Sequence, residues 1–360
     1  MGKKKKWWKI PAGILGVFLL FVIAYFLYLV LSYSRIEDHQ ALTPAGDPAS
    51  GNLDADGEYT IVTQNCGFGA YTPEFTFFMD GGTQSWAKDK ETVVYDINGL
   101  ADAAASYDPD FVLFQEIDTD STRSYHVDEH ALMSELFPGY AEVFAVNFHS
   151  AFLMYPFTQP HGTCNSGILT FSRAAITSAE RRSLEISTSF SKFLDLDRCY
   201  SVSRIPVSDG KELVLYNIHS SAYGGSDAIR TSQMTQLFTD MKAEYENGNY
   251  CVCGGDFNHD FTGNSGEVLG FGGDEYGWAQ PFPVDLIPEG IHQCLAYDDP
   301  ELIPTCRNCD VPVGPDCAVF VVDGFIVSDN VTVTELHNID AGFAYSDHNA
   351  VMMKFRLAGE

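Results

Sequence analysis

Positive charge is scarce in this 360-residue chain: 21 Lys and Arg stand against 49 Asp and Glu. Six of the 21 fall in the first 35 positions, where there is no acid at all, so residues 36–360 carry 15 basic and 49 acidic side chains, a net of −34. A surface that negative, with no basic stripe, repels polyphosphate and excludes a strong grip on long duplex nucleic acid. No segment repeats, which excludes solenoids and propellers. With 31 Gly and 16 Pro beside 45% hydrophobic residues, the chain is neither a coiled coil nor wholly disordered. The length suffices for one large domain or two ordinary ones.

Charge is absent altogether from Ile10 to Tyr33. As a helix this stretch rises about 36 Å, enough for a hydrocarbon layer about 30 Å thick. The residues before Arg35 lack a small-residue cleavage site, so an anchor is expected in preference to a cleaved signal. Myristoylation is disfavoured because position 6 is Lys. The lysines at positions 3 to 6 and 9 are expected to stay cytoplasmic, which makes the protein a single-pass protein of the cell membrane with everything after residue 34 extracytoplasmic. The expected organisation is a basic tail (1–9), a transmembrane helix (10–33), a Pro/Gly/Asp-rich linker (34–57) and one catalytic domain (58–360).

The cysteines number nine, an odd count that leaves at least one unpaired if the rest bridge. Cys251 and Cys253 read as core residues of a buried strand. Cys294, Cys306, Cys309 and Cys317, with His292 nearby, are compatible with disulfides, with a structural zinc site or with free thiols.

From residue 59 onward short runs rich in Val, Ile, Phe and Tyr alternate irregularly with helical periodicity over 88–106 and 226–245, which predicts an α/β or α+β fold with mixed sheets. Nearly every run ends in a polar residue: Asn65, Glu116, His219, Asp256, Asn258, Asp323, Asp347 and His348. Burying such groups without partners costs a few kcal/mol. If the strands share a sheet pair, these side chains converge on one acidic pocket with two imidazoles, suited to a hard divalent cation and a phosphoryl group. Singly, each has a plainer reading: Asn65, Gly255-Asp256-Phe257-Asn258 and Asp347-His348 as turns, His219 as a satisfied core residue. The ordered set is far more specific than any member.

That order resembles the endonuclease/exonuclease/phosphatase superfamily. The resemblance lies in Val62-Thr63-Gln64-Asn65, Gln115-Glu116, Asn165 to Arg173, Asn217-Ile218-His219-Ser220, Gly255-Asp256-Phe257-Asn258, Val322-Asp323-Gly324-Phe325-Ile326 and Ser346-Asp347-His348. It implies a four-layer α/β sandwich, two mixed sheets face to face with helices outside, and a magnesium-dependent (or manganese-dependent) phosphoesterase. By that resemblance Glu116 is the principal metal ligand, with Asn65 and Asp347 beside it. Asp256 and Asn258 orient the attacking water, Asp323 holds His348 as base or phosphate binder, and His219 donates to a phosphate oxygen or the leaving group. Arg123 and Arg173, scarce cations, and Asn165 are candidate phosphate contacts; for each of the two arginines surface ion pairing is the plainer reading. Gly324 stands where many members carry a bulky side chain. The aromatic stretches 66–90 and 147–162 are open to two readings, a substrate-contacting rim or a flap that closes the core. A lipid or small phosphoester fits the anchor better than long nucleic acid; the alternative is a catalytically silent extracytoplasmic binding module on the same fold.

Overall fold

Side-chain alternation along the strands decides how the layers stack. In the computed structural model, which describes residues 7–193, 197–222, 226–270, 276–296 and 302–357, two seven-stranded sheets lie face to face. In spatial order the first contains Val331–Asn338, Val351–Leu357, Glu58–Asn65, Phe111–Asp118, Asn165–Ser172, Ala141–His149 and Ala45–Gly46. The second runs Gln40–Leu42, Ser178–Ser183, Cys199–Pro206, Glu212–His219, Tyr250–Asp256, Asp323–Ser328 and Ile291–Cys294. Each is mixed, with one parallel pair at its centre: Glu58–Asn65 beside Phe111–Asp118, and Glu212–His219 beside Tyr250–Asp256.

Along the central strands odd and even positions enter different cores. Ile61, Leu113, Leu215 and Val252 meet between the sheets. Val62, Val112 and Phe114 face outward under helix Lys90–Ala105, whose Val93, Ile97 and Leu100 cover them. Val214, Tyr216, Cys251 and Cys253 face the opposite way, under Met234, Leu237 and Met241 of helix Asp227–Glu246. Asp89 and Ser226 cap these helices by accepting from the Thr92 and Ile229 amides. The result is the expected four-layer sandwich, helix on sheet on sheet on helix.

Before it stands helix Lys9–Ser32, long and apolar enough to cross a membrane; by length and composition a signal sequence passes the same test. The cluster Lys3 to Lys6 lies outside the described residues. Residues 34–57, expected as a linker, are folded onto the sandwich instead. Gln40–Leu42 adds an edge strand to Ser178–Ser183, and Ala45–Gly46 adds one to Ala141–His149. Two or three paired residues in each sheet suffice to fix the segment, and such short edge strands carry no periodicity for composition to reveal.

Candidate active site

The two parallel pairs bring polar strand ends to one edge of the sandwich. Asn65 pairs with Gln115 in the first sheet, while Asp256 pairs with His219 on one side and Asp323 on the other in the second. Below them Gln115 donates to Asn217 at 2.8 Å, and Asn217 donates to the Leu169 carbonyl at 3.1 Å, so a buried amide pair ties the sheets together beneath the site.

Local irregularities aim the side chains. The register slips between Phe114 and Ile117, and Glu116 sits at φ +53° on this bulge, which turns its carboxylate out of the ladder. Gly255 allows the second sheet to close tightly: a Cβ there would lie 2.1 Å from the Ile218 carbonyl oxygen. At Gly67, φ +53°, a Cβ would approach Asp347 Oδ1 to 2.8 Å, so backbone replaces side chain next to that carboxylate. The space left by Gly324 is filled by Phe261, whose ring a Cβ would meet at 2.6 Å.

The eight polar residues at the run ends come together. Asn65 donates to Asp256 at 3.0 Å and lies 3.5 Å from Glu116. The Asn258 amide nitrogen donates to Asp256 at 2.9 Å, and its side chain donates to the Ser220 carbonyl at 3.0 Å. His219 Nε2 lies 3.5 Å from Asp256, 3.9 Å from Glu116 and 2.6 Å from the Arg198 guanidinium. His348 Nδ1 is 2.8 Å from Asp323, and its Nε2 is 4.0 Å from Asp256. Asp347 accepts from Ser346 at 3.3 Å and from the Cys309 thiol at 3.7 Å.

Electrostatics separate the two imidazoles. Burial, reinforced by Arg198, His348 and Arg123, holds His219 well below the usual histidine range and neutral. Burial acts the same way on His348, but the carboxylates of Asp323 and Asp347 outweigh it and carry His348 well above that range. Asp256 is pushed up to about 6 by burial and by Asp323, against the opposing pull of His348. Asp347 is likewise pushed up to about 6, chiefly by burial. Such divergence of neighbouring groups is typical of sites that move protons.

Residues 62–348 match the Endonuclease/Exonuclease/phosphatase family. The chain belongs to that family. No curated protein sequence matches the chain. Among solved structures it is similar to an endonuclease/exonuclease/phosphatase from Beutenbergia cavernae DSM 12333, at 14% identity over 84% of this chain and 72% of that one, TM-score 0.53. It is similar to ANGEL2, a 2',3'-cyclic phosphatase in complex with adenosine-2',3'-vanadate, at 12% identity over 91% and 100% of the two chains, TM-score 0.54. The human Nocturnin catalytic domain with bound sulfate shares 14% identity over 87% and 97%, TM-score 0.51. At these identities the neighbours show the fold, and members of the family are phosphoester hydrolases.

The oxygen-rich donor set suits a hard divalent cation. Asp256, Asp323 and His348 each offer an atom within 4.8 Å of the others and are the one group of three or more His, Cys, Asp or Glu so placed among the described residues. Asp323 Oδ2 is committed to His348, so that trio is first a hydrogen-bonded unit. Glu116, about a quarter exposed and 3.5 Å from Asn65, lines the cavity together with Asp347.

Arg123 and Asn165 part company. Arg123 lines the cavity, paired with Asp118 at 2.9 Å and 3.8 Å from Glu116, its guanidinium over the Phe68 ring. Asn165 does not line it: its amide donates to the Asp120 carbonyl, and neighbouring Ser166 faces the cavity. Arg173 pairs with Asp108. The four cysteines offered for zinc or disulfides do neither among the described residues; all nine cysteines are free and buried. Cys294 belongs to the core between the sheets, away from Cys306 at the cavity. Sequence reasoning missed Arg198 and Arg307. Both line the cavity, and scarcity of cations after residue 35 was the signal available for them.

The aromatic stretches do both of the things that were open. Phe68, Phe75 and Phe77 close the core beneath helix Lys90–Ala105, while Tyr71, Phe78 and Met79 line the cavity. From the second stretch Phe148, Leu153, Met154, Tyr155 and Phe157 line it too.

Proposed function

We propose that the protein is a membrane-anchored, divalent-metal-dependent phosphoesterase that cleaves its ester by attack of water. One observation carries this reading: Glu116, His219, Asp256, Asn258, Asp347 and His348 line a single cavity of about 550 Å³ that also holds Arg123 and Arg198, with Asn65 and Asp323 bonded to Asp256 and His348 behind its wall. Glu116, Asn65 and Asp347 would hold magnesium or manganese. When bound, such an ion polarises the phosphoryl oxygen and neutralises developing charge.

The chain's own residues supply the rest. Asp256, fixed by Asn65 and by the Asn258 amide, orients the water and takes its proton; a carboxylate pushed up to about 6 is matched to that task near neutral pH. His348, kept charged against Asp323, binds a phosphoryl oxygen. His219 stays neutral and, at 2.6 Å from Arg198, keeps that guanidinium beside the reacting group. Arg123, neutralised in part by Asp118, adds positive charge at the same wall.

The test is hydrolysis of bis-p-nitrophenyl phosphate by the full-length protein with magnesium, with chelator, and in Glu116→Gln. Turnover that needs the metal and vanishes in the variant supports the proposal; equal turnover by Glu116→Gln refutes the metal assignment.

A further inference from the structure

The cavity has two chemically opposite ends. At one end are Glu116, Asp256, Asp347, His219 and His348; at the other are Tyr25, Phe26 and Leu29 of helix Lys9–Ser32, together with Phe78, Phe157 and Phe190. The helix expected to cross the bilayer is therefore itself a wall of the reaction chamber.

Its contact with the sandwich is specific. The Tyr25 hydroxyl donates to the Phe152 carbonyl at 3.1 Å and accepts from the Met154 amide at 2.9 Å, and the Tyr28 hydroxyl accepts from the Phe152 amide at 3.0 Å. Loop backbone at membrane depth is tolerated only where its polar groups are satisfied by protein; two helix tyrosines do this for three of them. Phe26 packs on Phe190 and Tyr33 on Phe193, with ring centroids 5.6 and 5.4 Å apart.

Depth follows from length. From Tyr25 to Ser32 the helix rises about 12 Å, and a 24-residue span of about 36 Å overshoots a hydrocarbon layer of about 30 Å by only about 6 Å. The loop tip thus reaches the outer interface. There it bears the solvent-facing Phe157, 83% exposed, and Tyr155, 64%, beside Phe190 of the separate turn Phe190–Phe193, 57%. Clustered exposed aromatics beside an apolar helix are the composition of a membrane-interface rim.

We infer that the substrate is a membrane phospholipid, its phosphoester at the polar floor and its acyl portion between helix Lys9–Ser32 and the Phe157 and Phe190 rim. This rests on the phosphoesterase reading and names its substrate class. Water's oxygen forms a new P–O bond, one ester P–O bond breaks, and the oxygen of that bond leaves as an alcohol with a proton. Long nucleic acid is disfavoured by the net −34 of residues 36–360.

The test uses full-length protein reconstituted in vesicles of phosphatidylethanolamine and phosphatidylglycerol with magnesium. Phosphorus NMR follows the lipid, bis-p-nitrophenyl phosphate reports soluble turnover, and a short single-stranded oligonucleotide reports competing base stacking on the aromatics. The expected result is lipid conversion, with the lipid-to-soluble rate ratio falling about tenfold in Phe157→Ser and in Phe190→Ser, as loss of one buried aromatic contact implies. Conversion of the soluble diester with lipid untouched, preference for the oligonucleotide, or an unchanged ratio in both variants overturns the lipid assignment and leaves the phosphoesterase standing. No turnover of any of the three overturns both.

Discussion

The floor and the mouth of the cavity are built by different rules. At the floor polar groups hold one another, across the two sheets from Asn65 to Asp256 and from His348 to Asp323, and within one sheet from His219 to Arg198. At the mouth the contacts are mostly apolar and partly solvent-facing, joined by a few tyrosine hydroxyls to loop backbone. Preorganised dipoles stabilise charge that develops during reaction, whereas apolar walls bind substrate and transition state alike. The floor should therefore govern chemistry on every substrate, and the mouth should govern which substrate is used.

The sharpest division comes from Glu116→Gln, expected to lower turnover of soluble and lipid esters together by about a thousandfold or more, through loss of the metal's principal carboxylate. Steady-state rates at saturating magnesium check this; a loss confined to lipid would erase the distinction between floor and mouth. His348→Ala should cost about a hundredfold on both substrates, and Asp323→Asn should reproduce most of that by releasing the imidazole from its charged form. The Phe157→Ser and Phe190→Ser pair should act about tenfold on lipid alone. Tyr25→Phe, which removes the hydroxyl serving Phe152 and Met154, should lower the lipid-to-soluble ratio about threefold, within the range of a lost neutral hydrogen bond.

The smallest effect lies outside the cavity and calibrates the floor. Asp96, on helix Lys90–Ala105, is fully buried with neither carboxylate oxygen hydrogen-bonded, and burial pushes it up to about 8. Asp256, buried as deeply, and Asp347, half-buried, both face His348 and reach only about 6. Between about pH 4 and 8 the folded protein keeps a proton on Asp96 that the unfolded chain releases, so stability falls as pH rises through that window. Asp96→Asn should flatten the slope by ~1 proton, read from melting temperatures across the window; an unchanged slope would mean that Asp96 finds a partner.

The same contrast explains what the sequence disclosed. Floor residues were legible because each ends an apolar run where a polar group needs a reason, and their chain order carried the family pattern. The central strands were legible for the same reason: Phe111–Asp118 and Tyr250–Asp256 are buried on both faces. Ser178–Ser183 and Cys199–Pro206 went unread because Arg181, Ser201 and Ser203, buried in the structure, make the runs look polar. Arg181 gains its burial by donating to the Val146 carbonyl at 2.7 Å, a partner 35 positions away that no local window displays. The mouth was only half legible: its aromatic stretches stood out, but not their contact with helix Lys9–Ser32. Tyr25 and Phe152 are far apart in sequence, and an aromatic residue reads alike whether it packs, stacks or faces lipid.

The folded connector has a kinetic meaning. Arg35 reaches the Leu184 carbonyl, the Ile36 amide donates to Asp197 at 3.0 Å, and pairing into both sheets follows within ten residues. If helix Lys9–Ser32 is the anchor proposed above, a domain seated so close to it cannot sweep through solution, and on a bilayer its search is two-dimensional. Substrate would reach it by lateral diffusion, so its rate should follow the mole fraction of substrate in the leaflet rather than the total amount in suspension, and inert lipid should act as a diluent.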